Sequence, residues 1–257
     1  MRAAIGGFDG MHIGHQAIIS RSDIVVVIEK GSNLTPGKDR CEYTDLPCVF
    51  FDLKEIKDLS PSSFISLLKD MNITKTVIGE DFRFGKNRSG DAELLKKHFE
   101  VETVPEVKIN GIGVHSRVIR EYIKNGKIKQ ANTFLGHTYK IKGRQIKGQG
   151  LGSKELVPTI NLQLIKSYII PKSGVYITKT ASLPSVTFVG VRSSDNVFSI
   201  ETHILTNGFE IQEEIINVEF LVYLRENKKF NDLKELKKQI KEDLKKASDY
   251  FPMRALN

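Results

Sequence analysis

The segment Ile5-Gly6-Gly7-Phe8-Asp9-Gly10-Met11-His12-Ile13-Gly14-His15-Gln16 combines features that phosphate chemistry needs. A short apolar run ending at Ile5 reads as a strand. A glycine-rich turn follows, and His-x-Gly-His then opens an amphipathic run through Ile13, Ala17 and Ile18 that reads as a helix. A strand, tight turn and helix start bring unpaired backbone N–H groups and the positive end of a helix dipole to one point. Gly6, Gly7 and Gly10 let the backbone approach a ligand with no Cβ in the way. His12 and His15 offer imidazoles that donate hydrogen bonds to a phosphate whose charge grows during transfer. The same spacing suits zinc, but no third Cys, His or Asp of suitable spacing lies nearby. With Phe8 and Asp9 completing the turn, the segment reads as a nucleotide site.

Further clusters carry chemistry of a related kind. In Glu80-Asp81-Phe82-Arg83-Phe84-Gly85-Lys86-Asn87-Arg88-Ser89-Gly90-Asp91, acidic, aromatic and basic groups share a glycine-punctuated loop after a strand. They suit an aromatic ligand bearing phosphate: Phe82 or Phe84 to stack, Arg83 or Arg88 to pair with phosphate, Asp81 to accept from a ring or ribose donor. For Phe84, anchoring the loop to the core is an equal alternative. Ser116 and Arg120 open a helix as a phosphate clamp. Farther on, Gly148, Gly150 and Gly152 alternate in a flap whose N–H groups could cover phosphates, without the spacing of a Walker A loop. Pro158-Thr159-Ile160-Asn161 places two neutral oxygens, Thr159 and Asn161, on one strand face. These suit a Mg²⁺ that keeps most of its waters and takes other oxygens from ATP. Glu201 shares a strand face with His203, so that face is either simply solvated or catalytic. We read Glu201 as a general base.

These residues need elements to position them. Residues 3–5, 24–28, 49–51 and 76–79 read as strands, and 15–19, 61–69 and 92–99 as helices, with Ser60 as cap and Pro61 in the first turn of the second. Such alternation implies a doubly wound parallel sheet with ligands at the carboxyl ends of its strands. Helical segments at 118–125 and 128–135 follow. After Gly136 come short β-rich runs at 139–141, 159–164, 175–180, 186–191, 198–205 and 215–224, an antiparallel barrel pattern. A terminal helix at 233–250, with Leu233, Leu236, Ile240 and Leu244 on one stripe, is expected to dock on the barrel.

The 257 residues suffice for two domains, and 40% hydrophobic with 27% charged residues describes a globular protein. No apolar run approaches the ~20 residues of a membrane helix, and with the first motif beginning so near Met1 no signal peptide is expected. A cytoplasmic protein with reduced Cys41 and Cys48 is expected. The net charge of +8 owes much to lysines on the terminal helix, a solvated face, so nucleic acid is not an expected partner. A monomer or weak homo-oligomer is expected.

Together these motifs resemble those of the bacterial bifunctional riboflavin kinase/FAD synthetases, over almost the whole chain. Gly6–His15 matches G-x-F-D-G-x-H-x-G-H, Asp81–Asp91 matches D-F-x-F-G…R-x-G-D, and His115–Arg120 partly matches S-S-T-x-I-R. Gly148–Asn161 matches the flap and P-T-x-N, Gly174-Val175-Tyr176 a G-V-Y strand, and Glu201-Thr202-His203 an E-x-H strand. Leu224-Arg225 with Lys229-Phe230 matches L-R…K-F. The sequence departs from the pattern at Glu29-Lys30-Gly31, where P-H-P is usual, at Arg117, at Leu156 and at Ser193-Ser194. The resemblance implies an FMN adenylyltransferase domain over residues 1–134 and a riboflavin kinase domain over 135–257. ATP is implied as co-substrate, with Mg²⁺ and with FMN and FAD as product and substrate. Thr159 and Asn161 would hold MgATP and Glu201 would take the hydroxyl proton. His12, His15 and Arg120 would stabilise adenylyl transfer, with Gly6, Gly7, Phe8, Asp9, Gly10, Ser116 and the flap glycines around nucleotide. Asp81, Phe82, Phe84, Arg88 and Arg225 would surround flavin. The departures leave an alternative, a riboflavin kinase whose adenylyl domain is degenerate or regulatory.

Overall fold

The computed structural model describes residues 1–146, 157–192, 196–206, 211–230 and 232–251. They fall into two compact units, Met1–Val118 with Phe134–Gly136, and Ile119–Thr133 with His137–Asn257.

The first unit is built on β1 (Arg2–Gly6), β2 (Ile24–Glu29), β3 (Cys48–Asp52), β4 (Lys75–Gly79) and β5 (Glu100–Val104), a parallel sheet in the order β3-β2-β1-β4-β5. Both faces are covered, as a parallel sheet requires. Strand alternation sends Ala3, Ile5, Val26 and Ile78 to one face with Phe64, Leu68 and Leu95, and Ala4, Val25 and Val27 to the other with Phe8, Met11 and Ile19. The covering helices include α1 (Ile13–Ile19), α2 (Leu53–Ile56), α3 (Pro61–Asp70) and α4 (Ala92–Lys96). Ser60 Oγ caps α3 by accepting from Ser63 N–H at 3.1 Å, and Asp91 caps α4 by accepting from Leu94 N–H at 3.0 Å. The chain runs from β1 to β2 and β3 on one side, and β4 and β5 lie on the other. The carboxyl ends of β1 and β4 therefore form the switch point where doubly wound sheets bind ligands.

Two expectations shift here. The helix expected to reach Phe99 stops at Lys96, and β5 follows where no strand was read. This strand lies at the sheet edge, and its Glu100 and Glu102 carboxylates pair with Lys75 at 3.1 and 2.9 Å. Charges of this kind blunt an edge and also hide its strand pattern. A small hairpin, β6 (Lys108–Ile109) and β7 (Ile112–Gly113), then leads to α5 (Ser116–Lys124) and α6 (Ile128–Leu135).

The second unit is a closed antiparallel barrel of β8 (Tyr139–Ile146), β9 (Ile160–Leu164), β10 (Gly174–Thr180), β11 (Leu183–Val191), β12 (Phe198–Ile204) and β13 (Ile216–Glu226), ordered β10-β11-β12-β9-β8-β13. Tyr139, Tyr176 and Phe220 fill one part of its interior. Another part is polar. Thr178, Ser185, Thr180, Thr202 and Thr187 are wholly buried and close a ring of five hydroxyl–hydroxyl hydrogen bonds of 2.7 to 2.9 Å. Each hydroxyl can donate to the next, so the ring satisfies itself without water.

The packing of α6 groups residues on the near side of the expected division with the barrel. Asn132 Nδ2 donates to Phe220 O, and its Oδ1 accepts from Tyr139 N–H, both at 2.8 Å. Residues 119–133 therefore belong with the barrel. The terminal helix α7 (Leu233–Tyr250) spans the expected residues and docks Ala247 against Ile177. Of the expected stripe, Leu236, Ile240 and Leu244 are half-buried and Leu233 is exposed, and Asp243 on the same side is buried against Arg225.

Replacing Thr202 by Val keeps the shape but leaves one ring hydroxyl without an acceptor and another without a donor. Denaturant unfolding of the barrel is expected to show a loss of about 1–3 kcal/mol.

Candidate functional site

In the sheet unit, the turn from β1 to α1 is backbone under strain. Phe8, Gly10 and Met11 all take positive φ, 48°, 89° and 42°. For non-glycine residues this costs on the order of 1 kcal/mol each and needs an outside constraint. Asp9 supplies it. Its buried carboxylate accepts from the N–H groups of Leu34, Thr35 and Asn33 at 2.9, 3.0 and 3.4 Å. Gly10 N–H donates to Thr35 Oγ1 at 2.8 Å, and Ser116 Oγ donates to Asp9 O at 2.7 Å. A Cβ at Gly10 would lie 2.8 Å from Leu34. Asp9 was expected to bind nucleotide; its side chain instead holds the turn. Phe8, almost fully buried, supports the turn from the core.

The two imidazoles lie together above this turn. His12 Nδ1 accepts from His15 N–H at 3.2 Å and so caps α1, which puts the proton of the neutral ring on Nε2. The rings stack with centroids 3.5 Å apart and planes 19° apart, and Phe8 stands edge-on to His15 at 5.3 Å. Burial pushes His15 well below its ordinary value of 6.5, and the charges of His12, Arg40, Lys30 and His115 push the same way. His15 is thus a neutral ring, and its Nδ1 is buried without a partner. Beside it, Arg40 Nη1 meets Glu29 Oε2 at 2.7 Å. Burial raises the Glu29 carboxyl, but hydrogen bonds from Arg40, Ser32 N–H and Gly31 N–H outweigh it and hold the group at about 2.

The remaining residues expected at the adenylyl site divide, and Arg120 lies among those grouped with the barrel. Ser116 reaches the turn, and Arg120 follows one helical turn later on α5. Asp81 and Arg88 are exposed on their loop, and Phe82 is half-buried. Phe84 is corrected: its ring sits in the core, 5.2 Å from Phe64, and a Cβ on Gly90 would strike it at 2.6 Å. That ring anchors the loop instead of facing a ligand.

In the barrel, β12 and β9 pair with Glu201 directly opposite Asn161. Directly opposed side chains lie about 5 Å apart on one face. Thr159 precedes β9, and its neighbour Pro158 is held by His203, whose Nδ1–H donates to Pro158 O at 2.7 Å. Arg192 Nη1 meets Glu201 Oε1 at 3.2 Å. A threonine hydroxyl, an asparagine oxygen and a carboxylate are hard donors that fit Mg²⁺. Among the described residues no group of three or more His, Cys, Asp and Glu is placed to hold a metal. Gly148, Gly150 and Gly152 lie outside the described residues. Arg225, expected at flavin, is committed elsewhere. Its Nε and Nη2 grip the Asp243 carboxylate at 2.7 to 3.0 Å and Nη1 donates to Glu226 O, which fastens α7 to β13.

Among protein families, the riboflavin kinase model matches residues 135–251 and the FAD synthetase model residues 39–118. A bifunctional riboflavin kinase/FMN adenylyltransferase of Buchnera aphidicola subsp. Schizaphis graminum is 30% identical, over 96% of this chain and 93% of its own length. The chain belongs to that family. Another member of the bifunctional riboflavin kinase/FMN adenylyltransferases, from Listeria monocytogenes, is 28% identical over 96% of this chain and 91% of its own. A solved structure titled as a macrolide-efflux protein from Streptococcus pneumoniae superposes with a TM-score of 0.85 at 24% identity, covering 98% of this chain and 94% of that one. That likeness shows the fold.

Sequence reading missed what His203 and Arg192 hold. The only signal for His203 was that it shares the Glu201 face; for Arg192 it was a place in a partly altered motif. For Glu29 and Arg40 there was no signal, because the pairing joins a strand end to a distant turn.

The state of His15 has a consequence for stability. The unfolded chain protonates it below about 6.5, whereas the fold keeps it neutral, so its contribution is complete above that pH and is lost as pH falls below it. Calorimetry between about pH 7.5 and about pH 5.5 should show wild type losing more sheet-unit stability than His15→Gln. Equal slopes would mean that His15 titrates ordinarily.

Proposed function

We propose that the barrel unit transfers the γ-phosphoryl group of ATP to the ribityl 5′-hydroxyl of riboflavin, giving FMN and ADP. The sheet unit then transfers AMP from a second ATP to the FMN phosphate, giving FAD and pyrophosphate. The substrates are small molecules, and no helix among the described residues is long and apolar enough to cross a membrane. We place the protein in the cytoplasm as a monomer or weak homo-oligomer.

The observation that carries the kinase assignment is Glu201 facing Asn161 across β12 and β9. With Glu201 Oε1 held by Arg192, the other oxygen is oriented to take the proton of the attacking hydroxyl. Thr159 and Asn161 are the residues that would hold Mg²⁺, which when bound neutralises the charge on the nucleotide phosphates. His203 keeps Pro158, and with it Thr159, in place.

The second step needs no protein nucleophile, since the FMN phosphate is itself the attacking group. Catalysis there rests on in-line positioning and on donors aimed at the developing charge. Gly6 ends β1 and Gly7 follows it, at the switch point of the sheet. The stacked His12 and His15 can donate to the α-phosphate through their Nε2 protons, with Ser116 at the start of the helix that follows. Asp81, Phe82 and Arg88 remain the loop residues offered to flavin.

Product analysis with riboflavin, ATP and Mg²⁺ tests both steps: FMN and FAD are expected, and FMN alone would leave only the kinase. Glu201→Gln should lower FMN formation by roughly 10²–10⁴, while FAD formation from supplied FMN persists. A loss of only a few-fold would reduce Glu201 to a structural residue. His12→Ala and His15→Ala should each slow FAD formation from FMN at least ~100-fold, with riboflavin phosphorylation nearly unchanged.

A further inference from the structure

The loop that leaves β2 lies against the glycine turn and carries charge that the fold leaves unmatched. Glu29 is fully occupied: Oε1 accepts from Gly31 N–H at 2.9 Å and Ser32 N–H at 3.1 Å, and Oε2 accepts from Arg40 at 2.7 Å. The Asp9 carboxylate is likewise spent on Leu34, Thr35 and Asn33. Lys30, between these groups, has no ion pair among the described residues. Its side chain runs beside Gly7, where a Cβ would come within 3.3 Å of Lys30 Cε and 3.7 Å of Nζ. Glycine at that position therefore leaves room for the ammonium next to the turn.

Arg40 is the second anomaly. Its side chain is 0% exposed, yet only Nη1 is engaged; Nε and Nη2 are buried without a partner. Donors of a buried guanidinium left unmatched are costly and call for an acceptor. Ser32 Oγ, a hydroxyl able to donate, is also buried without a partner. These atoms belong to segments that hydrogen bonds join around one turn. Ser32 and Arg40 meet at Glu29, and Gln16 on α1 reaches Tyr43 O at 3.1 Å, at the end of the 3₁₀ segment that carries Arg40. With the oxygens of both carboxylates engaged within the protein and His15 neutral, what remains open is the Lys30 ammonium and the two unmatched Arg40 nitrogens, all donors. A chain of phosphates, charge-dense and composed of acceptors, matches them.

We propose that Lys30 and Arg40 form a cationic cradle for the triphosphate of ATP in FMN adenylylation, Lys30 as the cation reaching the outer phosphates and Arg40 as the buried donor behind the turn. The inference rests on assigning that reaction to the sheet unit. In the step itself an FMN phosphate oxygen bonds to the α-phosphorus, the bond from that phosphorus to the bridging oxygen breaks, and its electron pair leaves on pyrophosphate. The cradle holds the part of the nucleotide that becomes this leaving group, so it should govern affinity for both ATP and inorganic pyrophosphate.

The test is steady-state FAD formation from FMN, together with calorimetric titration of inorganic pyrophosphate into the whole protein. Lys30→Met should raise the KM for ATP about tenfold and weaken pyrophosphate binding similarly, while Lys30→Arg keeps most of both. Arg40→Lys retains one charged donor for Glu29 and deletes the two unmatched nitrogens, with the same expected rise. The double variant Glu29→Gln/Arg40→Met removes the pair without stranding a charge, and should fold yet show the raised KM. Circular dichroism and thermal melting of the same samples report that the sheet unit is folded in each. Wild-type KM and pyrophosphate affinity in Lys30→Met, or in both Arg40 variants, would overturn the cradle. Undiminished FAD formation in His12→Ala and His15→Ala would overturn the assignment of the reaction to this unit, and the cradle with it.

Discussion

The Asp9 carboxylate, shut away from water and bonded to three consecutive backbone N–H groups, is the tether on which the sheet unit depends. The turn it holds has two non-glycine residues in the left-handed region, a conformation that does not persist unless neighbouring structure over-determines it. Because Asp9 draws residues 33–35 onto that turn, the loop from β2 arrives beside Gly7 and brings Lys30 with it. Because the turn is fixed, His12 can cap α1 and stack on His15. The cost of removing Asp9 would therefore appear as lost geometry in residues that never touch it.

The barrel solves a different problem with one strand. Along β12, Glu201 and His203 face one way and Thr202 the other, as a strand requires. Thr202 closes the buried hydroxyl ring, and its neighbours meet Asn161, Arg192 and Pro158. A self-satisfied polar ring inside is compatible with a closed core, because no member lacks a partner. It also makes the register of β12 specific: a slip by one residue would bury Glu201 and expose Thr202. The interior hydroxyls and the outward carboxylate thus enforce each other.

Charge placement follows one rule in both units. Carboxylates that could quench a phosphate site are occupied by the protein itself: Asp9 by backbone, Glu29 by Arg40, Asp243 by Arg225. Such pairs contribute little net stability against their desolvation cost. What they do is fix elements in place while leaving Lys30 and two Arg40 nitrogens as open donors at the turn.

Much of the architecture was legible along the chain because burial imposes local periods. Apolar runs bounded by glycine and proline located most of the strands, and the helix at 233–250 was readable to its ends from its apolar period. The motifs at 6–15 and 158–161 were visible for the same reason, since turn and strand chemistry is encoded within a few residues. What the sequence could not determine is which distant group each polar side chain meets. Asp9, Phe84 and Arg225 have types that suit a ligand, and the fold gives them to a loop, a core and a helix. Residues 119–133 read as closing the first half, yet the Asn132 amide ties them to β8 and β13. The hydroxyls of Thr178, Thr180, Ser185, Thr187 and Thr202 become one ring only after three strands close side by side. Spacing along the chain reports what must be buried; pairing between segments far apart is decided by the sheet order and register, which exist only in the tertiary structure.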